Sequence, residues 1–257
     1  MAVIKLLIAY DGTDFRGWAR QPGLRTVQGA IEDALAPMLQ EPPRLSVAGR
    51  TDAGVHAEGQ VASFPAPPDI DLARVRQAVN AQLGPEVVVR EARLAADGFN
   101  ARRSATGREY RYRIRTGPVP DPFTARYTWH RPGQLALGRM RAAARHLEGV
   151  HDFASFCRAS NPPSSTERTL RRLAISARGD VVEVRTLADS FLHQMVRSLV
   201  GTLVRVGDGR IEPDGMPAIL DARSRGAAGQ MAPPHGLTLV RVLYGRRLSW
   251  PDRYAGV

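Results

Sequence analysis

The sequence predicts an α+β fold in which the element order β-α-β-β-α-β occurs twice along 257 residues. Short apolar runs bounded by Gly, Pro and Asp are typical of strands. Apolar residues at helical spacing follow the first strand of each set. The same order returns in the second part of the chain, so we expect two ferredoxin-like halves, with antiparallel or mixed sheets flanking a basic central cleft.

The N-terminal half begins with an apolar run over residues 3–10 that predicts a strand, followed by a turn at Asp11 to Asp14. Thr26 is expected to cap a helix that ends before Pro42. The remaining predicted elements are strands over 45–48 and 60–64, a helix capped by Asp71, and a strand over 87–94.

In the C-terminal half, Tyr110, Tyr112 and Ile114 alternate with arginines at the two-residue period of a strand. The other predicted elements are helices over 137–147, 191–206 and 216–220 and strands over 170–176, 181–187 and 237–243. We place the boundary near residues 104–107, which gives one half of residues 1–105 and another of residues 106–257.

Basic charge is unevenly distributed along the chain. The net charge is +11, and Lys5 is the sole lysine among 36 basic residues. Residues 1–104 carry 12 basic and 12 acidic side chains, whereas residues 105–257 carry 24 and 13. Guanidinium groups bind phosphates in a bidentate manner and stack on bases. The second half is therefore expected to bind a polyanion, with nucleic acid the best match.

Other features of the composition exclude several classes of protein. The single cysteine, Cys157, cannot form an internal disulfide, and no apolar stretch reaches membrane-spanning length. The six histidines show no zinc-ligand spacing. We expect a cytoplasmic protein with no membrane span and no metal.

One loop, residues 49–56, places a cation, a hydroxyl, a carboxylate and an imidazole between two predicted strands. Its glycines allow a sharp turn and a close approach to a ligand. We take Asp52 as the candidate catalytic group and Arg50 as the candidate that handles a phosphate or a displaced base. Taken alone, Asp-Ala-Gly is also ordinary turn chemistry.

Other candidate residues have two interpretations each. The strand that carries Tyr110 and Arg111 is a stacking platform for bases, or a half-buried strand whose arginines lie in solvent. Arg197 lies two positions after Met195 in a predicted helix, so taken alone it is expected to face solvent. His193 is more often a polar helix residue than a catalyst.

The segment from His151 to Phe156 contains a His, an Asp and a Ser. A hydrolytic triad requires these groups to converge in space, which neighbours in sequence seldom do. We therefore expect packing of Phe153 and Phe156 rather than a triad.

Taken together, these residues resemble the tRNA pseudouridine synthase A (TruA-type) family nearly from end to end. The nine residues Gly49–Ala57 are similar to its signature, and further blocks occur in the right order. They are Tyr10-Asp11-Gly12-Thr13 with Phe15, Gly17 and Trp18; Thr26–Gly29; Phe99–Arg102; Ser104–Thr106; Tyr110–Tyr112; His151–Phe153; Phe191–Arg197; and Ala232–Leu237. One departure is Ala19, which stands where the family usually has glutamine.

The resemblance implies the pseudouridine synthase fold, a homodimer, and an isomerase that needs no cofactor. The implied substrate is uridine at positions 38, 39 and 40 of the tRNA anticodon stem-loop. Asp52 matches the catalytic aspartate, as nucleophile or base, and Arg197 the arginine that pairs with it. Tyr110 matches the tyrosine that stacks on the uracil and takes its C5 proton. The residues expected to contact substrate or RNA are Arg50, Thr51, His56, Tyr110, Arg111 and His193.

Two rival functions remain open at this stage. One is a non-catalytic RNA-binding protein that acts as a folding aid, although such a protein gains nothing from a carboxylate in a phosphate groove. The other is a glycosidase acting on nucleosides, which would need a second carboxylate as general acid. Glu58 is the only acidic neighbour of the loop.

Overall fold

The computed structural model describes residues 2–39, 41–158 and 164–245, and within them the predicted element order is present twice. The first set of elements is β1 (Ala2–Tyr10), α1 (Val27–Leu39), β2 (Ser46–Val47), β3 (His56–Ala66), α2 (Leu72–Leu83) and β4 (Val87–Ala95). Both predicted helix caps are present. Thr26 Oγ1 accepts the amide of Gly29, and the Asp71 carboxylate accepts two amides of the first turn of α2.

The second set spans β5 to β10 and contains additional short elements. They are β5 (Ala105–Arg115), β6 (Trp129–His130), α3 (Leu137–Arg145), β7 (Gly149–Asp152), β8 (Glu167–Arg178), β9 (Val181–Ala188), α4 (Met195–Gly207), α5 (Met216–Asp221) and β10 (Leu237–Tyr244). The short strands β6 and β7 were not predicted, because two to four residues carry too little periodicity to identify a strand.

The strand order within each set is the same. The first set has the order β4-β1-β3-β2 and the second the order β10-β5-β9-β8, with all neighbours antiparallel. This is the order of a ferredoxin-like sheet, in which each helix connects two strands of that sheet. The predicted fold class is confirmed.

The two sets join through one short parallel pairing. Thr238 and Leu239 of β10 lie beside His56 and Ala57 of β3, so the described strands form a single ten-stranded sheet. The main apolar core contains residues from both sets, from Ile4 of β1 to Leu239 of β10. The division into residues 1–105 and 106–257 therefore remains a prediction, and residues 246–257 lie outside the described part.

One predicted helix begins later than its apolar pattern indicates. The pattern starts at Phe191, but α4 begins at Met195 because Gln194 has the left-handed conformation, with φ of 62°. A left-handed residue cannot continue a right-handed helix. Phe191 and His193 therefore lie in a turn ahead of α4.

The junction of the two sets supplies a stability prediction. A Cβ at Gly59 of β3 would lie 2.4 Å from the backbone carbonyl oxygen of Val240 in the paired strand β10. We expect Gly59→Ala to lower the free energy of unfolding by about 1–3 kcal/mol, because the strands must separate to admit the methyl group. Urea denaturation monitored by circular dichroism measures it.

Gly138→Ala is the matched control, since Gly138 lies in α3 with no atom within 4 Å of the added Cβ. Alanine in a helix is favoured over glycine by about 1 kcal/mol, so this variant should be at least as stable as the parent. Equal stability of the two variants would contradict the steric argument at Gly59.

Candidate active site

The loop that carries Asp52 is held by the backbone of the segment after β1. The amide of Trp18 donates to the carbonyl oxygen of Thr51 at 3.0 Å, and the amide of Gly54 donates to that of Phe15 at 3.4 Å. These bonds attach the loop on both sides of Asp52. The conformation of Asp52 therefore depends on residues more than thirty positions away in sequence.

Two glycines of the same N-terminal segment allow this close approach. A Cβ at Gly17, whose φ is +92°, would lie 2.9 Å from Thr51 O and 3.2 Å from Ala53 N. A Cβ at Gly12 would lie 2.1 Å from Val55 O. Any larger residue at either position would push the loop away.

Buried side chains also fix the beginning of the loop. Thr51 is 7% exposed, and its hydroxyl is hydrogen-bonded to that of Tyr10 at 2.8 Å. Gln60 donates from Nε2 to Gly49 O at 2.7 Å and to Tyr10 Oη at 3.3 Å. Burial raises the pKa of Tyr10 to about 12, so the phenol stays neutral at physiological pH. The predicted contact of Thr51 with substrate remains a prediction, and its hydroxyl already has a protein partner.

His56 closes the loop and joins it to the second set of elements. The ring is 3% exposed. Gly12 N–H donates to Nδ1 at 3.0 Å, and Nε2 lies 2.9 and 3.1 Å from the carbonyl oxygens of Arg126 and His235. Its predicted contact with RNA is untested, and both ring nitrogens are engaged with the protein backbone.

Asp52 contacts two side chains from the segment Phe191–Arg197, a guanidinium and an imidazole. Arg197 Nη1 donates to Oδ2 at 3.0 Å, and His193 Nε2 lies 3.4 Å from Oδ1. The Asp52 side chain is 22% exposed and that of His193 is 52% exposed. Each carboxylate oxygen thus has its own nitrogen neighbour, and a face of the carboxylate remains open to a ligand.

Arg197 is buried, which contradicts the sequence-based expectation of a solvated side chain. It is 8% exposed, and its Nε donates to the carbonyl oxygen of Ala232 at 2.9 Å. The expectation failed because the chain around Gln230–Ala232 covers α4: a Cβ at Gly201 would lie 1.8 Å from Gln230 O. A covering segment that is distant in sequence leaves no trace in the periodicity of the helix.

Tyr110 is the aromatic residue of β5 that reaches the site. It is 7% exposed, and its ring meets the edge of Phe191 with centroids 5.2 Å apart. Among the described residues its hydroxyl has no hydrogen-bond partner, whereas that of Tyr112 donates to Pro233 O at 2.8 Å. Burial, more than any neighbouring charge, raises the pKa of Tyr110, so a neutral phenol is presented to the site.

The arginines of this region divide into paired and unpaired groups. Arg111 is 9% exposed and forms ion pairs with Glu58 and Glu183. Arg111 is therefore neither a solvated side chain nor a guanidinium free to bind phosphate, and its predicted contact with RNA is untested. Arg50 is exposed and, among the described residues, has no hydrogen bond or ion pair. The Glu58 carboxylate thus forms an ion pair with Arg111 and does not form a carboxylate pair with Asp52.

The segment His151–Phe156 forms no triad. His151 Nε2 lies against Glu148 O, and Ser155 Oγ accepts the amide of Ser224. Phe153 and Phe156 are fully buried, as predicted.

The described ranges, 2–39, 41–158 and 164–245, lack two kinds of feature, a cluster of metal-ligating side chains and a membrane-spanning helix. No group of three or more His, Cys, Asp or Glu side chains is arranged to hold a metal ion. No helix in these ranges has the length and apolarity needed to cross a membrane.

Comparison with known proteins identifies close relatives. A family model described as tRNA pseudouridine synthase matches residues 143–245. The tRNA pseudouridine synthase A of Geobacter sulfurreducens is 43% identical, over 95% of this chain and 100% of the relative. That of Bacillus subtilis is 44% identical, over 94% of this chain and 98% of the relative. A solved archaeal box H/ACA sRNP Nop10–Cbf5 complex matches 93% of this chain and 48% of its own at 14% identity and a TM-score of 0.37.

The support of the loop supplies a second stability prediction. Tyr10→Phe leaves the buried hydroxyl of Thr51 and one donor of Gln60 without Tyr10 Oη. We expect the free energy of unfolding to fall by about 1–3 kcal/mol, the usual consequence of an unsatisfied buried polar group. Tyr127→Phe is the control, because the Tyr127 hydroxyl bonds Asp11 in an exposed setting. Thermal unfolding of both variants provides the test, and an equal shift in melting temperature would contradict it.

Proposed function

Since this chain belongs to the tRNA pseudouridine synthase A family, as relatives of 43–46% identity over nearly its whole length show, we propose that it isomerises uridine to pseudouridine at positions 38, 39 and 40 of the tRNA anticodon stem-loop. Members of this family are isomerases. The observation that carries the proposal is the Asp52 carboxylate, held by Arg197 and His193 and still open on one face.

The reaction needs one carboxylate in such a setting. The C1′–N1 bond breaks, the base turns, a bond forms between C1′ and C5, and the C5 proton leaves as N1 gains one. Asp52 acts as nucleophile or base in this sequence. Arg197 donates to Oδ2 at 3.0 Å and so fixes the orientation of the carboxylate for either role. No metal or cofactor enters the proposal, because no step requires one.

The target base must leave its stack before it can react. Flipping a nucleotide costs a few kcal/mol, which stacking and polar contacts in the pocket offset. Arg50 lies in the loop itself, is exposed and has no partner in the described part of the chain, so its guanidinium is available to occupy the space that the nucleotide vacates. Tyr110 contributes a π-face and an unpaired hydroxyl to the uracil. Because burial keeps this phenol neutral, its oxygen accepts the C5 proton only as its own proton leaves, and N1, which gains a proton in the reaction, is the acceptor that balances the transfer.

Two features of the partner prediction also belong to this proposal. We place the enzyme in the cytoplasm with its tRNA substrate, and we propose that it works as a homodimer. The apolar side chains of Val119 and Phe123 are 66% and 90% exposed on the loop after β5, where a second copy would remove them from water. Sedimentation velocity of the purified protein measures the oligomeric state.

Asp52→Asn and Asp52→Ala are expected to fold, to bind tRNA within about threefold of the parent, and to form no pseudouridine. Binding persists because contacts to phosphate are spread over many arginines, whereas one carboxylate carries the covalent step. Filter binding and mass-spectrometric quantification of pseudouridine at positions 38–40 provide the measurements.

Glu58→Gln is the matched control, since it removes a second carboxylate that borders the loop and leaves Asp52, Arg197 and His193 unchanged. It should retain turnover. Activity in either Asp52 variant within about tenfold of the parent would exclude the covalent role, since such a role supplies far more. Loss of activity in Glu58→Gln would instead support the two-carboxylate glycosidase.

Tyr110→Phe separates the role of the hydroxyl from that of the ring. We expect single-turnover isomerisation to slow by roughly 10²- to 10⁴-fold, the usual contribution of proton transfer. tRNA affinity should not change, because the ring is retained. Tyr110→Leu should in addition weaken binding by about 1–3 kcal/mol, the value of one stacking contact. Release of tritium from C5-labelled uridine follows the proton directly.

Tyr112→Phe is the control for this experiment. Its hydroxyl donates to Pro233 O and not to Asp52, so this variant should affect stability and leave turnover per folded molecule unchanged. If Tyr110→Phe matches the parent in both isomerisation and tritium release, the hydroxyl has no part in proton transfer and the ring alone remains.

A further inference from the structure

Arg108 of β5 is a buried guanidinium in which every N–H group is hydrogen-bonded. Nε and Nη2 donate to Ala48 O at 3.0 and 2.7 Å. Nη2 also donates to Arg102 O at 3.1 Å, and Nη1 donates to Asp189 O at 2.6 Å and to Ala105 O at 3.4 Å. The five donors of the planar fork thus meet four carbonyl oxygens, and the side chain has no carboxylate partner among them.

The carbonyls that Arg108 binds lie at the bases of the two segments that form the site. Ala48 directly precedes the loop that carries Asp52. Asp189 directly follows β9 and begins the segment that leads through Phe191 and His193 to α4. Arg108 therefore connects the base of one segment to the base of the other.

The need to neutralise a carboxylate does not explain why the Arg108 side chain is buried. The next arginines on the strand, Arg111, Arg113 and Arg115, all form ion pairs with carboxylates. Within the described part of the chain Arg108, 8% exposed, bonds only backbone oxygens, and burial lowers its pKa. Burial of a cation is costly. What the side chain supplies in return is a rigid fork of donors, which no other residue type provides.

The same side chain also adjoins Tyr110. A Cβ at Gly49 would lie 3.6 Å from Tyr110 Oη and 3.9 Å from Arg108 Cγ, so both side chains border the start of the loop. The loop, the turn before α4 and Tyr110 therefore share one point of support. None of the bonds of Arg108 reaches Asp52, Arg197 or the space in which a base would lie.

We propose that Arg108 is a positioning residue, which sets the separation of the Asp52 loop and the Phe191–Arg197 segment by binding the carbonyls at their bases. The proposal rests on the proposed function, because it concerns the alignment of Asp52 with Arg197 and Tyr110 for the same reaction. Misplacement of reacting groups by about 1 Å is enough to slow an enzymatic reaction by roughly 10²-fold.

The test compares Arg108→Met, Arg108→Lys and Arg108→Ala with the control Arg241→Met. Arg241 also lies on the sheet, but its partner is the buried Glu109 and it bonds neither segment of the site. For Arg108→Met we expect single-turnover isomerisation to slow by about 10²-fold. The Kd for tRNA should stay within about threefold of that of the parent, because phosphate contacts are unchanged. Arg241→Met should be less stable than the parent but retain its rate per folded molecule.

Two readouts separate positioning from a general loss of structure. Millimolar guanidinium ion should restore the rate of Arg108→Ala, since it occupies the vacated site and donates to the same carbonyls, whereas methylammonium should not. Amide hydrogen exchange should increase in both peptides 48–56 and 189–195 of Arg108→Met, and in neither peptide of Arg241→Met. This second readout needs no activity, so it stands even if the proposed function fails.

Each outcome decides the proposal. Arg108→Lys retains the charge with fewer donors, so it folds even if the Met and Ala variants do not, and it should be intermediate in rate. A rate per folded molecule equal to that of the parent in Arg108→Lys and Arg108→Met would overturn the proposal. So would increased exchange confined to one segment, or the absence of rescue by guanidinium. An inactive parent enzyme would instead refute the proposed function.

Discussion

The ion pair between Asp52 and Arg197 is the interaction on which the site depends. It joins residues 145 positions apart, one on a loop of the first set of elements and one on the first turn of a helix of the second. Arg197 is buried, so replacing Asp52 leaves its guanidinium without this carboxylate and lowers the free energy of unfolding, although the carbonyl oxygen of Ala232 still accepts from Nε. The pair therefore makes the correct joining of the two sets a condition both for stability and for chemistry.

The sheet junction makes the Asp52–Arg197 pair possible. Several of the sequence blocks support this pair by contacting the loop or Arg197. β3 and β10 pair beside the loop, and residues 232–236, which precede β10, also contact the loop. Pro234 lies against the position of a Cβ at Gly54, and Ala232 accepts a bond from Arg197. The N-terminal segment at Gly12 and Gly17 holds the opposite side. The geometry of the Asp52–Arg197 pair is thus maintained by contacts from both sets of elements.

The sequence predicted regular elements well and tertiary contacts poorly, for physical reasons. The apolar run of β1, the alternation in β5 and the caps at Thr26 and Asp71 are local signals that survive folding. The start of α4 was wrong because the left-handed Gln194 interrupts an apolar pattern that continues on both sides of it. The solvation of Arg197 was wrong because a distant segment covers it. The prediction that Asp52 is the catalytic residue rested on a resemblance, since Asp-Ala-Gly alone is ordinary turn chemistry.

Arginine is by far the commonest cation of this chain, and the structure shows that the partner decides what each arginine does. On β5 and near it, Arg111 neutralises carboxylates, Arg108 binds backbone carbonyls and Arg197 binds Asp52, while Arg50 has no protein partner among the described residues. Only unpaired arginines can neutralise phosphate without first breaking an ion pair, so the net charge overstates the RNA-binding surface. The salt dependence of tRNA binding should therefore follow the number of unpaired arginines near the loop, not the total of 36 basic residues.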